Sequence, residues 1–186
     1  LHSYFLRPGD VAKPIEFEVD ILRDGRSFSA RRVQASQEGM AIFSMIASFQ
    51  DPSGGMSHSD AMPDNLPEPE DLPSAATILA NFDHPITNYW AKARPFDLRH
   101  TDQPIYLSAA KEQSAKQCVW FKPITKLPAE DGVEMASLAY ASDYSILESI
   151  MRRQGLSWAH KGLSSASLDH AMWFLQKPDF SNWLSA

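Results

Sequence analysis

Residues 15–21 read Ile-Glu-Phe-Glu-Val-Asp-Ile, so that every apolar side chain but the last is followed by an acidic one. A period of two places the apolar side chains on one face of a β-strand and the carboxylates on the other. This heptapeptide is the clearest strand signal in the chain, and it predicts a half-buried strand.

Further strands are predicted on both sides of this one. The four candidate strands cover residues 4–6, 15–21, 28–35 and 41–49. Asp24 and Gly25 separate the second from the third and can take the positive φ values of a tight hairpin, and a second turn is predicted at residues 37–39. Residues 41–49 are apolar on both faces, which is typical of a central strand. Together these segments predict an antiparallel meander.

The composition changes between residues 51 and 88 to Pro, Ser, Asp, Glu and Gly. Within this stretch the prolines are spaced too closely for a helix or a strand, at Pro63, Pro67, Pro69 and Pro73. We interpret the stretch as a linker. Regular structure is predicted to resume near residue 89, with a strand at residues 118–121.

Residues 135–154 change to a helical period. Ala139, Ile146 and Ile150 share one predicted face, and Gly155 stands where a helix ends. Strand-like composition returns at residues 165–175. Strands, a linker, then strands flanking a helix form an α+β pattern.

Composition and charge exclude several function classes. The chain has 186 residues, 44% of them hydrophobic, and a net charge of −6. No apolar run reaches the roughly 18 residues of a membrane span, so we expect a soluble protein without membrane insertion. The acidic balance without a basic stripe argues against nucleic acid as a partner. The adjacent pairs Arg31-Arg32 and Arg152-Arg153 are interpreted as solvated faces. The single cysteine, Cys118, cannot form an internal disulfide and favours the cytoplasm.

Asp143 is the most informative polar residue, because it interrupts the predicted apolar stripe of the helix. One interpretation is an N-cap that accepts backbone N–H bonds. The other is a partly desolvated general base held near such N–H groups. Spacing alone favours the cap.

Other constellations are weaker. Ser167 precedes Asp169 and His170, but no nucleophile-elbow glycine pattern is present to support a Ser-His-Asp triad. The histidines lie far apart with no pair at ligand spacing, so no metal site is predicted. No glycine-rich phosphate loop occurs, and no cofactor is predicted.

Five segments, in order and on both sides of the linker, resemble acyl-CoA thioesterase II. They are His2–Asp10, Leu22–Val33, Ala47–Gln50, Tyr140–Asp143 and Leu168–Phe174. The resemblance implies a double hotdog, in which each antiparallel sheet wraps around a central helix. Residues 1–50 would be the last strands of the first hotdog, residues 51–88 the linker, and residues 89–186 the beginning of the second hotdog with its central helix.

The resemblance also implies hydrolysis of fatty acyl-CoA by a water that an Asp, a Thr or Ser, and a Gln activate, without metal or cofactor. Asp143 matches the Asp position, and Ser167 matches the hydroxyl position, where Thr is common. The Gln is expected beyond Ala186. A homo-oligomer is also expected.

Both hotdogs are expected to be incomplete, each lacking on the order of 50 residues. An open hotdog would expose the apolar side of the meander. Two alternatives remain open: a non-catalytic hotdog that binds acyl-CoA or builds an oligomer, and another hotdog enzyme such as a hydratase acting on enoyl thioesters.

Overall fold

The structure, a computed structural model, describes residues 1–186 in full. It divides into two compact units. Unit 1 comprises Leu1–Asp60 and Ser164–Phe174, and unit 2 comprises Ala61–Leu163 and Leu175–Ala186. The predicted division into residues 1–50, 51–88 and 89–186 stays a prediction. The compact units divide the chain differently, since Ser164–Phe174 groups with the N-terminal strands and residues 51–60 belong to unit 1 while residues 61–88 belong to unit 2.

Unit 1 is a five-stranded antiparallel sheet in the order β2-β3-β4-β1-β7. Its strands are β1 (His2–Phe5), β2 (Glu16–Asp24), β3 (Phe28–Gln37), β4 (Met40–Gln50) and β7 (Asp169–Ala171). The predicted meander is confirmed, and the candidate strand at residues 4–6 corresponds to β1. Only Asp169–Ala171 is strand within the predicted strand-like stretch of residues 165–175.

The two hairpin turns of unit 1 differ in geometry. Glu38 and Gly39 have φ values of 50° and 76° and join directly paired Gln37 and Met40, which is a two-residue turn with positive φ at both positions. Neither Asp24 nor Gly25 has a positive φ. The predicted use of Asp-Gly in a tight turn is therefore wrong. The strands there close through a wider loop, in which the Gly25 N–H donates to the Phe28 carbonyl.

The strand register places the apolar residues of the meander on one face. Phe17 stands opposite Ala35, and Val19 stands opposite Val33. Phe17, Val19 and Ile21 are nevertheless all exposed. The predicted alternation is confirmed, but the strand is not half-buried, because nothing in unit 1 covers its apolar side.

The first basic pair is divided between the two faces of β3: Arg32 is exposed, as predicted, whereas Arg31, which stands opposite Ile21, is half-buried on the apolar face. Arg32 Nη2 is 2.7 Å from Asp20 Oδ2, and Arg31 Nη2 is 2.7 Å from Asp24 Oδ1. Exposed pairs of this kind contribute roughly 0–1 kcal/mol each to stability. They organise the edge of the sheet without forming a binding site.

Unit 2 is built on a three-stranded antiparallel sheet in the order β5-β6-β8. Its strands are β5 (Phe96–His100), β6 (Val119–Pro123) and β8 (Leu184–Ser185). Its helices are α1 (Ala75–Leu79), α2 (Pro85–Asn88), α3 (Val133–Ser142) and α4 (Glu148–Arg153), with a 3₁₀ turn at Pro69–Asp71 and a π turn at Tyr89–Ala93. The predicted strand around residues 118–121 is confirmed as β6.

The main core of unit 2 lies between the sheet and α3. Its buried members are Phe96, Leu98, Val119, Phe121, Ala141 and Phe180. Leu138 and Tyr144 pack against this cluster from the helical side. Alternate residues of β5 and β6 therefore face α3, as the period of two requires.

The predicted linker contains helices that its composition did not indicate. α1 follows the last of the four closely spaced prolines, and the Ser74 hydroxyl caps it by accepting from the Thr77 N–H at 3.1 Å. Ala75 and Leu79 are buried against Tyr106. The prolines exclude a helix only as far as Pro73, so the end of the predicted linker is structured.

The predicted helix over residues 135–154 is two helices, α3 and α4, separated by a turn at residues 143–147 that we call the Asp143 turn. The Ser142 hydroxyl donates to the Ala139 carbonyl at 2.8 Å, and such back-bonding weakens a helix. Tyr144 turns inward onto the core. The predicted apolar face is also wrong, because Ile146 and Ile150 are exposed.

Gly155 ends α4 as predicted. Its φ is +67°, its N–H donates to the Arg152 carbonyl at 3.1 Å, and the Leu156 N–H donates to the Met151 carbonyl at 2.9 Å. These two bonds form a Schellman motif, which satisfies carbonyls that the helix end leaves free.

Replacing Gly155 by Ala should lower the free energy of unfolding by about 1 kcal/mol, because a Cβ disfavours the left-handed conformation. The Cβ would also meet Gln113 Nε2 at 2.6 Å, but that side-chain end can move. Urea unfolding measures the change. Gly54→Ala is the matched control, since its Cβ meets nothing within 4 Å and its φ is not positive. Equal midpoints for both variants would contradict the prediction.

Candidate active site

Asp143 is the residue that directly follows α3. It is the C-cap of that helix, with φ −81° and ψ −13°, and its side chain is exposed. The predicted N-cap is therefore wrong, and the general-base interpretation loses the helix N-terminus that was expected to hold the carboxylate. The exposed carboxylate at the head of a turn remains open to a substrate or a water.

Contacts from three sides hold the Asp143 turn. The Tyr144 ring lies 6.2 Å from the Phe96 ring, and the Arg94 guanidinium carbon lies 4.5 Å above Tyr144. Gln117 Nε2 donates to the Ser145 carbonyl at 2.8 Å. Burial raises the pKa of Tyr144 well above its ordinary value, so its ring stays neutral. The backbone beside Asp143 is thereby fixed.

The far end of the turn is anchored by a buried carboxylate. Glu148, the first residue of α4, is 2% exposed. Its Oε2 lies 2.8 Å from His100 Nε2, and its Oε1 accepts from Trp158 Nε1 at 2.9 Å. The pKa of the neighbouring Tyr106 is raised, mainly by burial and to a smaller extent by the negative charge of the Glu148 carboxylate. Glu148 thus ties α4 to β5 and to the segment after α4.

An apolar cavity of about 320 Å³ lies beside α3 within unit 2. Its lining residues are Pro95, Phe96, Pro123, Thr125, Leu127, Val133, Ala136, Ser137 and Tyr140. Tyr140 also lines the helix face that precedes Asp143 by one turn. An apolar chain fits such a lining better than a charged group does.

Ser167 lies outside regular structure, two residues before β7, with an exposed side chain. The neighbouring strand is fixed to β1, where the Ser3 hydroxyl donates to the His170 carbonyl at 3.1 Å. Asp169 Oδ2 lies 3.4 Å from His2 Nε2. The Asp169 carboxylate therefore has its partner on β1, which does not favour the Ser-His-Asp interpretation.

Asp143 and Ser167 belong to different compact units, Asp143 to unit 2 and Ser167 to unit 1. Neither unit by itself brings the two together, and their catalytic roles stay predictions. No group of three or more His, Cys, Asp or Glu side chains is arranged to hold a metal ion. No helix is long and apolar enough to cross a membrane.

Two buried charged residues were missed from the sequence. Glu148 and Arg152 lie one turn apart on α4 and are 2% and 4% exposed. The interpretation of Arg152 as part of a solvated face is therefore wrong, although Arg153 is exposed. The sequence contained one signal of this burial. Glu148 and Arg152 lie on the same helix face as the apolar Met151, and Gly155 ends the helix soon after Arg152.

Both ends of the chain match families of thioesterases. Residues 96–185 match the acyl-CoA thioesterase family, and residues 1–50 match the acyl-CoA thioesterase N-terminal domain. The two matches stand in order and leave the linker between them.

Individual relatives agree. The chain is 33% identical to acyl-CoA thioesterase 2 of Haemophilus influenzae, over 98% of this chain and 64% of the relative. It is 38% identical to the acyl-CoA thioesterase II structure of Mycobacterium marinum, with a TM-score of 0.71 over 99% of this chain and 64% of that one. The chain spans about three fifths of the length of the curated relatives it matches.

A more distant structure shows the fold. A protein with a hotdog fold from Alicyclobacillus acidocaldarius aligns with a TM-score of 0.60 at 20% identity, over 82% of this chain and 52% of that one. The antiparallel sheets and the few helices agree with it, so the predicted α+β hotdog fold is confirmed. Since the two family matches and the 38% identical structure point the same way, the chain belongs to the acyl-CoA thioesterase II family.

Proposed function

We propose that the intact protein hydrolyses fatty acyl-CoA thioesters to a free fatty acid and CoA. The observation that carries the proposal is the pair of ordered family matches at residues 1–50 and 96–185. The apolar cavity beside α3 supports it, since an acyl chain needs an apolar lining.

In the proposed reaction, Asp143 is the general base and Ser167 orients the water. The water oxygen attacks the thioester carbonyl carbon while one of its protons passes to the Asp143 carboxylate. The tetrahedral intermediate then collapses with cleavage of the C–S bond. The CoA sulfur leaves with the electron pair and takes up the proton, so that a fatty acid and CoA thiol are released. The thioester carbonyl is electrophilic enough that no covalent nucleophile is required.

Cys118 is a less favourable nucleophile than the activated water. Burial, and next the Asp102 carboxylate, raise the pKa of its thiol. A thiol, unlike a thiolate, attacks carbonyls poorly. Water activation therefore remains the mechanism that these residues favour.

Release of thiol from a long-chain acyl-CoA, followed with a thiol-reactive dye, tests the proposed function. We expect turnover by the intact protein that a chelator leaves unchanged. Absence of thiol release above the uncatalysed rate would remove the proposal, and activity lost to a chelator and restored by a divalent ion would replace the mechanism.

Ser167 should act through its hydroxyl and not as a nucleophile. Ser167→Thr keeps the hydroxyl and restricts χ1, so activity should persist, whereas Ser167→Ala should lower it. Turnover measured on matched preparations checks both. Full activity of Ser167→Ala would exclude the residue, and an acyl adduct on Ser167 after rapid quenching, detected by mass spectrometry, would indicate covalent catalysis.

We further propose a cytoplasmic homo-oligomer that acts in lipid metabolism. The single cysteine favours the cytoplasm. The uncovered apolar face of unit 1, with exposed Phe17 and Val19, supports its being covered by further protein.

A further inference from the structure

Arg152 carries a buried positive charge that no acidic residue of the chain compensates. The side chain belongs to a residue that is only 4% exposed. Its Nη1 donates to the Gln103 carbonyl at 2.6 Å, while its Nε has no acceptor within the chain. Arg152 takes part in none of the ion pairs of the structure.

An isolated buried guanidinium is costly, because water no longer solvates the charge and arginine does not release its proton. The carboxylate of Glu148 is one helical turn away, but it is hydrogen-bonded to His100 and Trp158 and forms no ion pair with Arg152. Arg152 therefore keeps hydrogen-bonding capacity that a ligand could use.

Arg152 lines a cavity that can hold such a partner. The cavity measures about 550 Å³ within unit 2, between α4, the segment from β5 to β6 and residues 63–67. Volumes of roughly 300–1,000 Å³ are typical of sites for small molecules. The cavity is therefore large enough for a nucleotide-sized group.

The charges around this cavity favour an anion. Lys111 and Lys116 line it together with Arg152. Two acidic residues, Asp102 and Glu112, also line the cavity, but both are exposed, whereas Arg152 is buried. Cys118 adds no negative charge, because its raised thiol pKa keeps it protonated.

We propose that this cavity, the Arg152 cavity, binds a phosphate-bearing ligand. Arg152 is the buried anchor, and Lys111 and Lys116 attract the ligand at the rim. Guanidinium binds phosphate oxygens through charge-assisted hydrogen bonds, and the buried Nε of Arg152 has no acceptor within the chain. The nucleotide end of CoA carries such phosphates, and this choice of source rests on the proposed function. The unpaired Gln117 Oε1 on the same lining can accept from an amino or hydroxyl group of that ligand.

Isothermal titration of the intact protein with 3′,5′-ADP, CoA and inorganic phosphate tests the proposal. 3′,5′-ADP contains the phosphates without a thioester, so binding is measured apart from hydrolysis. We expect 3′,5′-ADP to bind and its affinity to fall about tenfold in Arg152→Lys, since lysine keeps the charge but cannot form the paired hydrogen bonds of a guanidinium. A double variant, Lys111→Ala with Lys116→Ala, should weaken binding several-fold.

Matched control variants distinguish a specific effect at the Arg152 cavity from an effect of the protein's overall charge on ligand binding. Arg153→Lys alters the exposed neighbour of Arg152, and Lys126→Ala removes an exposed lysine outside the cavity, so both should bind as the parent does. If Arg152→Lys fails to fold, the rim double variant decides, because it changes only exposed residues. Equal affinity across all variants, or no binding of any probe, would overturn the proposal.

The probes also distinguish the sources of the phosphate. Binding of CoA and 3′,5′-ADP well above that of inorganic phosphate supports the nucleotide end of CoA. If inorganic phosphate binds as tightly as 3′,5′-ADP, the cavity is an anion site, but the nucleotide end of CoA is not its specific ligand. If the intact protein binds 3′,5′-ADP but does not hydrolyse acyl-CoA, only the proposed function is contradicted. If it hydrolyses acyl-CoA but does not bind 3′,5′-ADP, only the proposal for the Arg152 cavity is contradicted.

Discussion

Asp143→Asn should lower the turnover number of the proposed thioester hydrolysis by the intact protein by roughly 100-fold or more while leaving the stability within about 0.5 kcal/mol. The amide keeps the size of the side chain but cannot accept the proton of the attacking water. Stability should hold because Asp143 is exposed and lies at the C-terminal end of α3.

The measurement combines initial rates of thiol release with urea unfolding of the same preparations. Asp131→Asn makes the same change at another exposed position beside α3, and it should affect neither quantity. A rate for Asp143→Asn within a few fold of the parent would show that Asp143 is not the base. A large loss of stability would assign it a structural role instead.

The strands of unit 1 were predictable because their information is local. The alternation at residues 15–21 indicates which face of the sheet each side chain occupies. Because the strands that follow have similar lengths, β2, β3 and β4 can be predicted from the period of two and the positions of the turns. The turn geometry did not follow. Asp24-Gly25 and Glu38-Gly39 both permit a tight turn, and the sequence pattern favoured the pair that does not form one.

The break between α3 and α4 was not predictable from apolar periodicity. Ile146 and Ile150 continue the helical period of Ala139, yet both are exposed, because Tyr144 turns into the core and ends the regular helix. The packing of Tyr144 depends on Phe96 and Arg94, which precede it by about 50 residues in the chain. A tertiary contact of this kind overrides a local preference.

The candidate catalytic residues depended on resemblance more than on pattern. Spacing singled out Asp143 but favoured an N-cap, which the structure contradicts. Ser167 had no physical signal of its own, since an exposed serine ahead of a short strand is ordinary. Arg152 was discounted because an adjacent pair of arginines is usually solvated, and only the fold places one of them inside.

Glu148→Ala should lower the free energy of unfolding by roughly 3–5 kcal/mol, the largest stability effect expected in unit 2. Alanine removes the acceptor of both His100 Nε2 and Trp158 Nε1, and each of these buried donors then lacks a partner. The loss also frees α4 from β5. Glu148→Gln keeps one acceptor oxygen and should cost less than the alanine variant.

Urea unfolding, followed by the fluorescence of the tryptophans, measures these changes. Glu130→Ala removes an exposed glutamate and should change the free energy of unfolding by no more than about 0.5 kcal/mol. Equal stability of Glu148→Ala and the parent would contradict the buried network. The double variant His100→Phe with Glu148→Leu separates the loss of a hydrogen-bond partner from the loss of packing, because it replaces His100 and Glu148, which bond to each other, by apolar side chains together. If it recovers stability relative to Glu148→Ala, the cost of the single change lies in an unpaired buried donor, since replacing both partners by apolar groups is far milder than removing one.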